Sequence, residues 1–367
     1  MSCSSCYERL FRRIYVSANV TNNEVVERIR AHLPHVPCSR VADKQDIPAD
    51  DLNRRTLYLT ALRGKTVNSC PGSRGHLCCN YLVADLYVGC LLGCSYCIMQ
   101  SYLNFLPTTI NVDTASTIER VRTIARQNPE TTIRIGTGEA GDSLHLDPLF
   151  DLSRDIIEAS AVFSNVFFEL KTKTDFVDHL LDIKPKGNTV IGFSLNPQNI
   201  IEQEEQLCST LSSRVEAARR AVSSGYLVSF HFDPIFWYDG WEHDYLAVID
   251  RLADSFCAQD IAWISLGAFR YTAGLKEVIG RRWYMLGEFV PCRDGKYRYL
   301  QRVRARMYAC LLHRIRASFP AVQVYACMES SAVWRRVFGG VPQELPQLAT
   351  VFEAVDDLDQ APWEAKT

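Results

Sequence analysis

Short apolar runs alternate along the chain with stretches of helical periodicity. The runs that indicate strands cover residues 81–88, 131–136, 165–170, 189–194, 226–232 and 261–266. Helical patterns lie between them at residues 115–127, 148–160, 174–183, 209–224 and 243–256. A repeated strand–helix order favours a parallel sheet that is buried on both faces. The pattern therefore predicts an α/β fold in which six strands curl into a partial (β/α)6 TIM-like barrel, with extensions at both ends.

The residues before this repeat predict a smaller αβ unit. Residues 13–16 and 55–60 have the composition of strands. Thr21, with Glu24 three residues later, predicts the N-terminal cap of a helix that continues to about Ala31. The chain is therefore divided into an N-terminal αβ segment with a cysteine-rich loop (1–79), the partial barrel (80–275), a basic segment (276–340) and an acidic tail (341–367).

Composition narrows the protein class. Of the 367 residues 47% are hydrophobic and 22% are charged, which is typical of a globular protein with room for one barrel-sized domain plus appendages. No apolar run reaches the ~18 residues of a membrane span, and the first residues lack the apolar core of a signal peptide. We therefore expect a cytoplasmic protein with no membrane contact. In that compartment its 14 cysteines indicate metal ligands, reactive thiols or small core residues rather than disulfides.

The formal net charge of −2 hides a gradient along the chain. Residues 270–340 contain 14 basic and four acidic side chains, whereas residues 341–367 contain six acidic ones and one lysine. Tyrosines are interleaved with the basic residues, so this segment could follow a phosphate backbone and stack on bases. A solvated helix face is the alternative interpretation.

Cys90, Cys94 and Cys97 follow the first apolar run of the barrel with the spacing C-x3-C-x2-C. Three thiolates on one loop can hold three irons of a [4Fe-4S] cluster and leave the fourth iron open to a ligand that is not protein. Zinc is the alternative, but structural zinc usually has four protein ligands, and residues 98–102 offer none. The spacing resembles the signature of the radical S-adenosylmethionine superfamily. That resemblance implies a [4Fe-4S] cluster and S-adenosyl-L-methionine as cofactors, which together form a 5′-deoxyadenosyl radical.

Polar residues at the carboxyl ends of the predicted strands are candidates for cofactor binding, because barrels of this kind carry their sites there. In the superfamily a Gly-Gly-Glu-like segment after the second strand binds the amino group of the cofactor. Ordinary turn and cap residues are the alternative at each position. The candidates after the second, third and fourth strands are Gly138, Glu139, Asp142, Ser143, Lys173, Ser194 and Asn196.

A loop before the barrel carries Cys70, His76, Cys78 and Cys79. These side chains could ligate a second metal, or one thiol could donate a hydrogen atom in the active site. The alternative is a loop whose cysteines only pack, since the spacing C-x7-C-C is not standard for zinc or for a cluster.

Three further stretches narrow the resemblance to one family. Residues 234–242 (Pro-Ile-x4-Gly-Trp-Glu), residues 177–181 and residues 270–272 resemble spore photoproduct lyase, with similarity from about Arg55 to about Ala326. This resemblance implies a carbon–carbon lyase that repairs a thymine dimer in DNA and regenerates S-adenosylmethionine. It also implies a reducing partner such as flavodoxin or ferredoxin.

The chain departs from the family at two positions of the pathway that returns the final hydrogen atom. Glu139 stands where the family has its hydrogen-donating cysteine, and Ile98 stands where a tyrosine is expected, whereas Tyr96 is kept. Cys78, Cys79 or Cys327 could therefore replace that donor, and these three with Tyr96 are the catalytic candidates. The family's DNA-engaging hairpin is shortened here. The predicted nucleic-acid contacts in and near it are Arg270, Tyr271, Lys296, Tyr297, Arg298 and Tyr299.

Two other functions fit the same residues. One is a radical enzyme that acts on a small nucleoside, nucleotide or natural-product precursor and uses the basic segment only to bind phosphate. The other is an iron–sulfur redox or sensor protein that does not cleave S-adenosylmethionine.

Overall fold

The computed structural model of the chain describes residues 4–21, 23–62, 66–73, 75–103, 106–353 and 355. The strands in these residues are β1 Arg13–Ser17, β2 Cys38–Val41, β3 Thr56–Thr60, β4 Val67–Ser69, β5 Leu82–Ala84, β6 Tyr87–Val88, β7 Thr108–Asn111, β8 Ile133–Gly136, β9 Val166–Thr172, β10 Val190–Ser194, β11 Leu227–Ile235, β12 Ile261–Ala268, β13 Arg270–Thr272, β14 Phe289–Pro291, β15 Lys296–Tyr299 and β16 Val324–Ala326. The helices are α1 Ser4–Leu10, α2 Glu24–His32, α3 Gln100–Leu103, α4 Thr114–Gln127, α5 Asp147–Phe150, α6 Leu152–Ser160, α7 Gln198–Glu204, α8 Leu211–Ser223, α9 Trp241–Ala253, α10 Ala273–Ile279, α11 Gln301–Ser318, α12 Ser331–Phe338 and α13 Ala349–Phe352.

The main sheet has eight strands in the order β16-β12-β11-β10-β9-β8-β5-β4. The pairs from β5 to β16 are parallel, and β4 adds an antiparallel edge. Strand β10 is buried along its whole length, as expected for a strand covered on both faces. The sheet confirms the predicted curled α/β fold, and it brings the carboxyl ends of its parallel strands to one edge.

A second sheet, in the order β2-β1-β3-β7-β6, lies in the N-terminal part of the chain. The cysteine loop at residues 89–97 leaves β6 of this sheet, and β7 returns to it. The predicted segment 1–79 therefore shares its sheet with residues that follow the loop. The prediction of one strand at residues 81–88 is wrong, because the chain turns at Asp85, whose amide bonds Thr66 O at 2.9 Å.

Two helix predictions also need correction. The helix expected from Thr21 begins at Glu24 and is capped by Asn23, whose side chain accepts from two backbone amides. The helix expected at 174–183 is only a 3-10 turn at Asp178–Leu180. The amides of Thr174 and Asp175 bond the side-chain oxygens of Thr172 and Ser209 instead, and such bonds compete with helix formation.

The basic segment folds into two parts. Strands β13, β15 and β14 form a small antiparallel sheet, and α11 packs against α9. The predicted acidic tail begins as packed structure, since Leu348, Val351 and Phe352 are buried. Residue 354 and residues 356–367 of that tail lie outside the described residues. Among the helices of the described residues, none has the length and apolar character needed to cross a membrane.

Candidate active site

The cysteine loop is shaped by two glycines with left-handed backbone. Gly89 has φ +104° and Gly93 has φ +71°, a conformation that other residues rarely adopt. Gly89 N donates to Ala140 O at 2.9 Å, and a Cβ on Gly141 would lie only 2.9 Å from Gly89 O. The loop is therefore packed backbone to backbone on the glycine-rich segment that follows β8, as the predicted cofactor site requires.

The three cysteines of the loop suit a cluster better than a single ion. Burial raises the pKa of Cys90 and of Cys97, and the hydrogen bond between the protonated Cys94 thiol and Cys208, together with burial, raises that of Cys94 in the metal-free protein. Thiolates form at such positions only against a cationic group, and a bound metal would supply that charge. Within the described residues, Asp147, Asp151 and His179 form the group of three possible metal ligands whose ligand atoms all lie within 4.8 Å of one another. Cys90, Cys94 and Cys97 do not form such a group.

A short segment after α7 pairs with the cysteine loop. Cys94 and Glu205 form an antiparallel bridge, and Ser95 N donates to Glu204 O at 2.9 Å. The Glu205 carboxylate accepts hydrogen bonds from Tyr96 and Arg214. Burial alone would raise the pKa of Glu205, but Lys173 and Arg214 lower it to about 2. Glu205 is therefore an ionised anchor beneath the loop, and sequence reasoning missed it because its partners are distant in the chain.

Asp142 and Ser143 hold the glycine-rich segment in place. The Asp142 carboxylate accepts from the amides of Leu144, His145 and Lys173 at 2.7–3.0 Å. The buried Ser143 hydroxyl accepts from Lys171 N at 3.0 Å. The side-chain oxygens of Asp142 and Ser143, both predicted to contact the cofactor, therefore accept hydrogen bonds from the backbone around the site. They support the site by holding that backbone in position.

Two lysines at the end of β9 have different surroundings. Lys171 forms an ion pair with Glu139 at 2.7 Å. The ammonium of Lys173 lies 5.8 Å from the centre of the Tyr96 ring and near enough to Cys94 and Cys97 to favour their thiolates. Gly138 lies against this strand, since a Cβ there would be 2.9 Å from the Cβ of Lys171. Of these predicted cofactor residues, Lys173 lies beside the cysteine loop, whereas Gly138 and Glu139 contact Lys171.

Ser194 and Asn196 are buried below this group. The Asn196 amide donates to Glu205 at 3.0 Å, and its oxygen accepts from Tyr245 at 2.8 Å. Ser194 O accepts from Arg214 at 2.8 Å. Asn196 and Ser194 therefore contact the buried Glu205–Arg214 pair and do not lie on an open surface.

Four thiols lie close together, and one of them, Cys79, is near enough to Glu139 to feel its charge. Cys78 is within hydrogen-bonding distance of Cys70 and Cys79. Cys327 is close enough to Cys70 and Cys79 for their charges to interact. The hydrogen bond from Cys78, with Arg134 and Lys171, lowers the pKa of Cys79 to about 6, whereas hydrogen bonding and burial raise the pKa of Cys78. The Cys78–Cys79 pair therefore retains one S–H hydrogen at neutral pH.

Glu169 is the centre of a polar network inside the barrel. It accepts from Tyr81 at 2.7 Å and Trp263 at 3.0 Å and pairs with His231 at 2.7 Å. Burial alone would raise the pKa of Glu169, but the charge of His231 and its hydrogen bond lower it. A glutamate inside the apolar run 165–170 was the available signal for this network.

The predicted nucleic-acid residues divide by burial. Arg298 and Tyr299 are both 2% exposed, and Arg298 forms an ion pair with Asp294 at 2.6 Å. Arg270 forms a two-point ion pair with Asp233 at 3.1 and 3.2 Å. The charged groups of Arg298 and Arg270 are therefore already paired within the protein.

The other three residues predicted to contact nucleic acid lie on strands β13 and β15 of the small sheet. Tyr271 is buried and stacks on Tyr297 with ring centres 5.1 Å apart. Lys296 and Tyr297 are partly exposed, as is Arg270, so these three of the predicted residues have surface left for a nucleic-acid contact.

Comparison with known proteins gives consistent results. A family model described as spore photoproduct lyase matches residues 68–324. The spore photoproduct lyase of Geobacillus sp. (strain Y412MC61) is 28% identical over 257 residues, which cover 65% of this chain and 74% of that protein. That of Bacillus subtilis (strain 168) is 28% identical over 201 residues, which cover 53% of this chain and 58% of that protein.

Solved structures agree with these matches in fold. Spore photoproduct lyase complexed with dinucleoside spore photoproduct superposes with a TM-score of 0.75 at 21% identity, covering 86% of this chain and 98% of that one. A variant with bound AdoMet and the same dinucleoside gives a TM-score of 0.74 at 21% identity over the same shares. Since the family model spans well over half of the residues, the chain belongs to the spore photoproduct lyase family of the radical S-adenosylmethionine superfamily.

Proposed function

We propose that this chain is a radical S-adenosylmethionine lyase that repairs a pyrimidine lesion of the spore-photoproduct type. The observation that carries the proposal is the packing of the Cys90–Cys94–Cys97 loop on the glycine-rich segment, with Lys173 beside it. Related proteins of this fold bind AdoMet and dinucleoside spore photoproduct, which supports the same ligands here.

Each cysteine of the loop would hold one iron, and Lys173 would bind the carboxylate of S-adenosylmethionine. The Glu139 carboxylate, although paired with Lys171, has a second oxygen for the cofactor's ammonium. When bound, the two cofactors supply a 5′-deoxyadenosyl radical, after one electron from a carrier such as flavodoxin or ferredoxin. Free thiols and a cluster both require a reducing compartment, so we assign the protein to the cytoplasm.

The Cys78–Cys79 pair would return the final hydrogen atom. Glu139 cannot do so, because a carboxylate has no transferable hydrogen atom. Cys79 of this pair is near Glu139, and the pair retains one S–H bond. The thymine radical left when the carbon–carbon bond breaks would take that hydrogen, and the pair would be left as a thiyl radical. Cys327, near Cys70 and Cys79, is the alternative donor of this hydrogen atom.

A second candidate substrate is a small nucleoside or nucleotide. It is favoured by the burial of Arg298 and Tyr299, which leaves little of the predicted DNA-binding surface exposed.

The test is repair by the anaerobically reconstituted, reduced protein. We expect 5′-deoxyadenosine and repaired thymine dinucleotide from dinucleoside spore photoproduct and S-adenosylmethionine, followed by mass spectrometry. Cys94→Ala is the matched inactive control. Formation of 5′-deoxyadenosine without repair would refute the substrate assignment and favour the small-molecule candidate. Absence of both products, with a four-iron cluster present, would refute the lyase and leave a redox or sensor protein.

A further inference from the structure

Cys208 touches a cysteine of the cluster loop. Its sulfur lies 3.5 Å from the sulfur of Cys94, although the two residues are 114 positions apart. Cys208 belongs to neither the C-x3-C-x2-C motif nor the group of four thiols that includes Cys79. It is partly buried, and the proposed chemistry gives it no role so far.

The backbone on both sides of Cys208 is fixed. Leu207 N donates to Leu92 O at 2.9 Å, and Ser209 N donates to Lys173 O at 3.1 Å. Three residues before Cys208, Glu205 is anchored by Arg214, and both side chains have no exposed surface. These contacts hold the Cys208 sulfur beside Cys94 and connect it to the loop that would carry the cluster.

The direction of the hydrogen bond follows from the chemistry of a cluster ligand. A cysteine that binds iron is a thiolate, so Cys94 can only accept, and the hydrogen must come from the S–H group of Cys208. Hydrogen bonds to the sulfurs of an iron–sulfur cluster influence its reduction potential. Such a bond stabilises negative charge, and the reduced cluster carries one more negative charge than the oxidised one.

We propose that Cys208 is a positioning residue that donates an S–H···S hydrogen bond to the Cys94 thiolate and thereby raises the reduction potential of the cluster. The inference rests on the cluster of the proposed function. It gives this chain a means to make electron uptake from its carrier easier, which is the step that precedes cleavage of S-adenosylmethionine.

The test is a redox titration of the reconstituted full chain, monitored by electron paramagnetic resonance of the reduced cluster. Cys208→Ala removes the donor, Cys208→Ser keeps an O–H donor, and Cys257→Ala removes an exposed cysteine elsewhere as a control. All three variants should bind four irons. We expect a more negative midpoint potential for Cys208→Ala, a value near that of the unsubstituted protein for Cys208→Ser, and no change for Cys257→Ala.

Two results would overturn the inference. An unchanged midpoint in Cys208→Ala would mean that the contact does not affect the cluster. Loss of iron in both Cys208 variants, with secondary structure retained by circular dichroism, would mean that Cys208 is a ligand rather than a hydrogen-bond donor. Failure of the unsubstituted protein to bind a four-iron cluster would instead refute the proposed function, so the two failures are distinguishable.

Discussion

Replacing Glu205 by glutamine tests the buried ion pair between Glu205 and Arg214 beneath the cysteine loop. Glu205 and Arg214 have no exposed side-chain surface, so the substitution leaves an uncompensated guanidinium in the interior. Breaking such a pair typically costs about 3–5 kcal/mol. The pKa of Glu205 is lowered from 4.5 to about 2, and at about 1.4 kcal/mol per pKa unit this corresponds to about 3 kcal/mol. We therefore expect Glu205→Gln to lose about 3 kcal/mol of unfolding free energy near neutral pH.

The pH dependence of this loss has a defined sign. A carboxylate with a lowered folded-state pKa contributes its full stabilisation above its unfolded pKa, here 4.5, and loses it as the pH falls to about 2. The difference between Glu205→Gln and the unsubstituted protein should therefore narrow from pH 7 to pH 3.5. Urea unfolding followed by circular dichroism at both pH values measures it.

The matched control for this experiment is Glu202→Gln on helix α7, which ends directly before Glu205. Glu202 is exposed and bonds only Gln198 among the residues described, so its loss should change stability by less than about 0.5 kcal/mol. If Glu205→Gln were as stable as Glu202→Gln, the buried ion pair would not support the cluster loop and the reasoning would be wrong.

Three further substitutions test other parts of the account. Cys94→Ala should prevent assembly of a four-iron cluster, measured as iron and sulfide per chain; a full cluster in this variant would show that the ligands are misassigned. Lys173→Ala should raise the S-adenosylmethionine concentration needed for half-maximal binding without loss of iron, and unchanged affinity would make it a simple strand-end lysine. Arg298→Ala should lower unfolding free energy by about 3 kcal/mol, because Asp294 then loses both guanidinium hydrogen bonds at a largely buried site and keeps the longer ion pair with Lys296; normal stability with lost dinucleotide binding would instead indicate substrate contact.

The cysteine loop and the main sheet were predictable because the sequence patterns that indicate them are local. The spacing of Cys90, Cys94 and Cys97 and the repeated apolar runs lie within short windows of sequence. The support beneath the loop was not predictable, because Cys208 and Glu205 reach it from more than 100 residues away.

Charge counting along the sequence cannot show which basic side chains are free to bind a substrate. Arg298 adds to a basic count whether it faces solvent or is buried against Asp294, and only packing distinguishes the two cases. The roles of Glu139, Lys173 and the neighbouring thiols stay predictions.

The most direct test of the central claim is repair of dinucleoside spore photoproduct in D2O, with the product analysed by mass spectrometry. Thiol hydrogens exchange with solvent, so the account predicts one deuterium in each repaired dinucleotide. Replacing both Cys78 and Cys79 by alanine should suppress this repair while 5′-deoxyadenosine still forms. Repaired product without deuterium, or full repair by the double variant, would contradict the claim that this thiol pair replaces the family's hydrogen donor.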